Sequence, residues 1–118
     1  MRRRGFPRAL RVNEVIQTAL AVMIQRGEAG ELPFVSVTGV RVAPDFSFAR
    51  VFVSLLDEQK APEAIAALNE QAKHLRHLLA GEVRLRVTPE LKFVHDDSIA
   101  RGSRISLLIN DAIKNRSE

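Results

Sequence analysis

Apolar residues recur every three or four positions near the start of the chain and again in its middle, the spacing of amphipathic helices. The first stripe lies between Arg8 and Arg26 and consists of Val12, Val15, Ile16, Ala19, Leu20 and Met23. The second follows Pro62, a residue favoured in the first turn of a helix, and consists of Ile65, Leu68, Ala72, Leu75 and Leu79. The pattern predicts one helix over 8–26 and then either one long helix or two helices in line, ending near Gly81.

Alternating apolar and polar residues predict strands between and after these helices. One strand covers about Phe34 to Val42, with a change of parity at Gly39 that indicates a β-bulge. A turn over 44–47 joins it to a second strand, Phe48 to Leu55, and a third covers Glu90 to His95. Four phenylalanines are expected in the core, which would leave no exposed aromatic platform for stacking bases: Phe34, Phe48, Phe52 and Phe93.

The last apolar stripe predicts a terminal helix that begins after Ser103, a plausible N-cap residue. Its members are Ile105, Leu108, Ile109, Ala112 and Ile113. The order of elements predicts a two-layer α+β fold with helices on one side of a small sheet. A chain of 118 residues is long enough for one such core, so we expect a basic tail over 1–7 and one domain over 8–118.

Positive charge is concentrated in two segments, although the formal net charge is only +4. The first eleven residues contain no acid and five bases: Arg2, Arg3, Arg4, Arg8 and Arg11. Residues 71–86 contain Glu82 and four bases: Lys73, Arg76, Arg84 and Arg86. The rest of the chain has nine bases against thirteen acids. This segregation predicts a polyanionic partner whose phosphates are contacted by the nine bases of the two segments.

Other kinds of site have weak support in the sequence. There is no cysteine and no phosphate-binding or nucleophile motif, and Asp96 and Asp97 are neighbours that would project to opposite faces of an extended segment. His74 and His77 could share a metal ion at helical spacing, but Lys73 lies beside them and all three are expected to face away from the core. We therefore expect no enzyme, no metal site and no cofactor.

Two short motifs allow more than one interpretation. Residues 27–30 read Gly-Glu-Ala-Gly, which matches the Gly-x-x-Gly loop of KH domains, but they join a helix to a strand and are better explained as a helix C-cap. The Arg-rich start could belong to an organelle transit peptide, although its residues continue into the first helix. No apolar run is long enough to span a membrane.

Two longer blocks carry a more specific pattern. Residues 40–54 form a strand, an Asp-containing turn and an Ala-x-Val-x-Val strand, and residues 78–93 contain Arg-Leu-Arg-x-x-Pro-Glu-Leu-x-Phe. Asp97-Ser98 and the run Arg-Gly-Ser-Arg-Ile over 101–105 follow them. With the first helix, these residues resemble the ribosome-binding factor A family over roughly 8–113.

The resemblance implies a single KH-like domain of type II, with the order α-β-β-α-α-β and a three-stranded sheet covered by helices on one face. In that family an Ala-x-Gly kink between the central helices replaces the Gly-x-x-Gly loop. Here the corresponding residues are Gln71-Ala72-Lys73, so the glycine is missing.

The resemblance also implies a function: a bacterial, cytoplasmic, non-enzymatic assembly factor that binds the immature small (30S) ribosomal subunit and assists late maturation of its 16S rRNA, notably in the cold. The implied partners are that subunit and its rRNA, with a ribosome-associated GTPase as a further partner, and the implied state is a monomer. Two alternatives fit the charge pattern: an adaptor that binds an acidic protein, and a domain that binds nucleic acid without specificity.

Overall fold

The first strand follows the first helix along the chain. It pairs antiparallel with the second strand, as the two alternating segments and the turn between them predict. The computed structural model describes residues 8–98, with side chains from Arg11 onward, so the predicted tail over 1–7 and the predicted helix after Ser103 lie outside it. A short 3₁₀ helix at Glu58–Lys60 precedes the second α-helix. The elements are α1 (Arg8–Gln25), β1 (Val35–Val42), β2 (Phe48–Leu55), α2 (Ala61–Glu70), α3 (Ala72–Glu82) and β3 (Glu90–His95).

The C-terminus of α1 is closed by the glycine-containing segment that resembles a KH loop. Gly27 has φ +83°, its N–H donates to the Ile24 carbonyl at 3.0 Å, and the Glu28 N–H donates to the Met23 carbonyl at 3.1 Å. This pair of hydrogen bonds is the Schellman motif, in which a left-handed glycine satisfies the last helical carbonyls. The interpretation of residues 27–30 as a helix cap is confirmed.

The three strands form one mixed sheet with the order β1-β2-β3. β1 and β2 are antiparallel, and their register shifts between Val37 and Gly39, so Thr38 is the extra residue of the predicted bulge. β2 and β3 are parallel, which requires the crossover that α2 and α3 provide. Three inward residues of β2, Ala49, Val51 and Val53, are buried in one core with Ile16, Leu20, Leu68, Leu75, Leu79 and Phe93. The helices therefore cover one face of the sheet, and the order is that of a KH-like domain.

Side-chain amides bond to the outer backbone groups of both edge strands. On β1, Asn13 accepts from the Val42 N–H at 2.9 Å and Gln17 donates to the Val37 carbonyl at 3.3 Å. On β3, Asn69 accepts from the Phe93 N–H at 2.8 Å and donates to the Phe93 carbonyl at 3.0 Å. Unpaired edge groups would otherwise be open to another strand, so these amides hold the helices in place and close part of each edge.

The second helical stretch is two helices, and the interruption is at Gln71. This residue has φ −91° and ψ 3°, a conformation that a residue with a side chain can adopt. Its N–H donates to both the Ala67 and the Leu68 carbonyls, with N···O distances of 3.2 and 3.1 Å. The helix is thus broken without the family glycine, because the break uses a negative φ.

The expectation that four phenylalanines belong to the core holds only for Phe93; Phe52 is half-buried and lies on the same sheet face as Phe48, outside the core cluster. Phe93 is buried, with 1% of its surface exposed, whereas Phe34 is 72% and Phe48 is 42% exposed. Phe34 comes just before β1 begins, and Phe48 lies on the sheet face that the helices do not cover. Strand alternation identifies the two faces of β2, but it does not show that only one of them is covered.

Candidate nucleic-acid interface

The segment between α3 and β3 presents two arginines to solvent. Val83 and Leu85 are partly buried against the core, and Pro89 is buried, while Arg84 and Arg86 are exposed. Apolar side chains thus fix this non-helical segment at alternate positions. The intervening guanidinium groups are directed outward, as a phosphate-binding role requires.

Arg76 holds the same segment from α3. Its Nε and Nη2 atoms donate to the Thr88 carbonyl at 3.1 and 2.9 Å. A carbonyl oxygen carries no formal charge, so Arg76 remains cationic while it positions the chain after Arg86. The sequence pointed to Arg76 as a phosphate ligand, and the structure gives it a positioning contact as well.

A groove joins this segment to the start of α1 and to the hairpin turn. It is lined by Val12, Phe46 and residues 84–87. Arg11 is exposed next to Val12, and Lys73 is exposed in the first turn of α3, one turn before Arg76. The structure therefore places Arg76 beside the segment that carries Arg84 and Arg86. We call Arg11, Lys73, Arg76, Arg84 and Arg86 the helix-side basic surface.

Four further candidates lie wholly or partly outside the described part of the chain. Arg2, Arg3 and Arg4 precede the first described residue, and Arg8 lies in α1 with its side chain outside the description.

Carboxylates do not neutralise the helix-side basic surface within the described part of the chain. The ion pairs in that part of the chain are those of Arg26 with Glu28 and Glu82, and His95 Nε2 lies within hydrogen-bond distance of Glu58 Oε2, at 2.6 Å. The hydrogen bond that Arg26 donates to Glu82 raises the pKa of Arg26, with smaller contributions from Glu28. Arg26 thus links the end of α1 to α3, and the arginines of the 84–86 segment stay available to an external anion.

The two central histidines are surface residues. His74 and His77 are exposed on α3 beside Lys73, as the helical wheel predicts. Across residues 8–98 no three His, Cys, Asp or Glu side chains are grouped so that they could hold a metal ion. No helix in this range has the length and apolar character needed to cross a membrane.

Sequence reasoning missed a second group of cations on the open face of the sheet. Arg41 in β1 is opposite Arg50 in β2, and Arg50 is opposite Lys92 in β3. All three side chains are exposed. We call Arg41, Arg50 and Lys92 the sheet-face basic row. Their outward parity is visible in the sequence, but the register that aligns them is not.

The fold defines a small α+β domain of the KH-like class, with basic surfaces on a nearly neutral body. The sequence pattern of the family "Ribosome-binding factor A" matches residues 8–109. A protein of that name from Nitrosococcus oceani is 42% identical over 115 residues, which cover 96% of this chain and 91% of the relative. This chain belongs to the ribosome-binding factor A family, as the sequence blocks suggested.

Solved structures of the family have the same fold. The crystal structure of ribosome-binding factor A from Thermus thermophilus matches with a TM-score of 0.66 and 31% identity, covering 74% of this chain and 94% of that one. A homology model of the Thermus thermophilus protein, fitted into a cryo-EM map of a 30S complex, matches with a TM-score of 0.56 and 29% identity, covering 70% of this chain and 89% of that one.

Proposed function

We propose that this chain is an RNA-binding assembly factor of the small ribosomal subunit. It would bind free or immature 30S subunits in the bacterial cytoplasm, assist late processing of 16S rRNA, and matter most at low temperature. Membership of the family supports the class of function, and the cryo-EM complex of the Thermus relative supports the subunit as partner. A ribosome-associated GTPase is a further partner in this proposal, and the chain acts as a monomer.

The observation that carries the proposal is the exposed, unneutralised 84–86 segment. Leu85 anchors it, Arg76 fixes its far end through Thr88, and Arg84 and Arg86 extend from it without a carboxylate partner among the described residues. The proposed RNA ligands are the five residues of the helix-side basic surface together with Arg2, Arg3, Arg4 and Arg8.

Salt dependence tests the electrostatic mechanism. If about four to six phosphates are engaged, the plot of log affinity against log salt should have a slope of roughly −3 to −5. The measurement is filter binding of the protein to purified 16S rRNA over a range of KCl concentrations. A slope near zero would exclude phosphate contacts as the main source of affinity.

Charge reversal locates the interface. The Arg84→Glu, Arg86→Glu variant should lose about tenfold or more in affinity for free 30S subunits, with little change in thermal unfolding because both side chains are exposed. The matched control is Lys60→Glu, Arg116→Glu, which changes the net charge equally at positions outside the proposed RNA ligands. Equal loss in both variants would show that net charge alone matters.

Partner choice separates the alternatives. Co-sedimentation with 30S subunits in preference to duplex DNA supports the proposal, and equal binding to duplex DNA of any sequence supports a non-specific nucleic-acid binder. Capture of an acidic protein without RNA binding supports an adaptor.

Sucrose-gradient profiles of a deletion strain grown in the cold should show accumulated immature 30S subunits, and a normal profile would contradict the role in assembly.

A further inference from the structure

The open face of the sheet combines cations with an exposed aromatic ring. The sheet-face basic row crosses all three strands at one level, and adjacent strands are about 5 Å apart, so three positive groups lie within a short distance. Phe48 precedes Arg50 by two residues on the same face of β2 and is 42% exposed. This arrangement lies outside the helix-side basic surface.

No carboxylate in the described range forms an ion pair with the row. Like charges directly opposite on neighbouring strands destabilise a sheet, and no ion pair among the described residues includes Arg41, Arg50 or Lys92. Glu90 is on the same face, but it is opposite Phe48. Asp96 comes after β3 and its carboxylate accepts a hydrogen bond from Thr38 at 2.6 Å. The cost of aligning three cations is therefore not offset by an ion pair among the described residues.

Neither terminal segment carries a net negative charge that would complement the row. Residues 1–7 contain three arginines and no acid, and residues 99–118 contain four bases and two acids. Charge complementarity thus favours an external polyanion over either terminal segment.

A depression beside Phe48 has the character of a base-binding site. It has a volume of ≈ 180 Å³ and is lined by Arg41, Val42, Ala43, Pro44, Phe48 and Arg50. An exposed aromatic ring beside two guanidinium groups offers a stacking surface with phosphate ligands next to it. Phe52 contributes less, because its ring lies against Gly39, where an added Cβ would be 4.0 Å from Phe52 Cδ2.

From this geometry we propose that the open sheet face is a second RNA-binding surface, which takes a single strand. One unpaired base stacks on Phe48, and the sheet-face basic row contacts the phosphates. Phe46 lines the groove with Arg84 and Arg86, and Phe48 lines the depression with Arg41 and Arg50. The same hairpin turn therefore borders both basic surfaces.

The test uses a fluorescein-labelled single-stranded RNA of twelve nucleotides and the same sequence as a duplex, measured by fluorescence anisotropy with the full chain. The variant Arg41→Gln, Arg50→Gln, Lys92→Gln should bind the single strand about tenfold more weakly, and its salt slope should be shallower by about 2. The control Lys60→Gln, Lys114→Gln, Arg116→Gln removes the same charge and should bind nearly as the parent does. Thermal unfolding of both variants establishes that they are folded.

Phe48 provides a second arm that does not depend on charge. Phe48→Leu should weaken single-strand binding about tenfold, and Phe48→Trp should retain it, because stacking needs a ring. Equal affinity of the basic-row variant and its control, or unchanged affinity in Phe48→Leu, would overturn the proposal. So would duplex binding as tight as single-strand binding.

A last comparison separates this proposal from the proposed function. In the Arg84→Glu, Arg86→Glu background, neutralising the sheet-face basic row should weaken single-strand binding by a similar factor. No further loss would mean that the row is not an independent surface. Failure of the 84–86 variant to affect 30S binding would instead count against the proposed function and leave the oligonucleotide result intact.

Discussion

Phe46 adopts a backbone conformation that residues with a side chain rarely use. Its φ is 60°, and it is the one non-glycine residue in the described chain with positive φ. Its N–H donates to the Ala43 carbonyl at 2.8 Å, which closes a turn with Pro44 as the second residue. The ring packs against the core, so side-chain packing offsets the backbone cost.

The strain at Phe46 predicts an unusual order of stability for two truncations. Phe46→Ala and Phe46→Gly both lose the ring, but only the alanine variant keeps a Cβ in the left-handed region. Phe46→Gly should therefore be the more stable of the two by about 1 kcal/mol, and both should be less stable than the parent. Urea unfolding measures this, and an alanine variant as stable as the glycine variant would contradict it.

Asp45, in the same turn, predicts a pH effect. Its Oδ1 accepts from Ser47 Oγ at 2.7 Å and from the Ser47 N–H at 3.1 Å, and these bonds lower the pKa of the carboxyl. A lowered folded-state pKa gives stability that is present above the ordinary carboxyl pKa and is lost as the pH falls through the lowered value.

Asp45→Asn isolates this contribution, because the amide keeps an acceptor oxygen without a charge. The parent should have the higher melting temperature at pH 7, and the difference should shrink as the pH falls below the ordinary carboxyl pKa of about 4. The effect should be small, since Asp45 is exposed. Thermal unfolding between pH 2 and pH 7 measures it, and a difference that is independent of pH would show that the charge contributes nothing.

At the scale of elements, Asn69 connects α2 to the edge of the sheet. Its amide makes two hydrogen bonds with Phe93 in β3. Asn69→Ala should cost about 1–2 kcal/mol, since each bond contributes about 0.5–1.5 kcal/mol, and exchange of the Phe93 amide hydrogen should accelerate. Glu70→Ala, on the next residue, is the control. If the Phe93 amide hydrogen in Asn69→Ala exchanges as slowly as in the parent, the Asn69 amide does not stabilise the contact between α2 and β3.

The elements themselves were largely predictable from the sequence, and the exceptions have physical reasons. Alternating apolar and polar residues mark the boundaries of β2 and β3, and glycines mark the bulge near Gly39 and the cap at Gly27. Both signals come from neighbouring residues in the sequence. The break at Gln71 has no such signal, because the apolar stripe continues through it and no glycine marks it. The conformation at Gln71 is open to most residues, so residue type carries little information there.

At the scale of the whole molecule, the basic surfaces were only partly predictable. Arg84 and Arg86 are adjacent to apolar residues that anchor them, so local alternation was enough. Arg41, Arg50 and Lys92 are far apart in sequence and align only through strand register, which depends on the bulge and on the crossover through two helices. A charge count along the chain therefore finds clusters formed by neighbours in sequence and misses those formed by the sheet.

Charge distribution, more than net charge, should control RNA binding by the intact molecule. Residues 8–98 contain eleven bases and twelve acids, so the cationic surfaces occur on a nearly neutral body. Glu63 and Glu70 are exposed on α2. Neutralising them with Glu63→Gln, Glu70→Gln should raise affinity for 16S rRNA only about twofold at 50 mM salt and not at 500 mM, because the Debye length falls below about 5 Å. Filter binding at both salts measures this. If the gain in affinity were as large as the loss of affinity in Arg84→Glu, Arg86→Glu, net charge would govern binding, and the position of the basic residues would not matter.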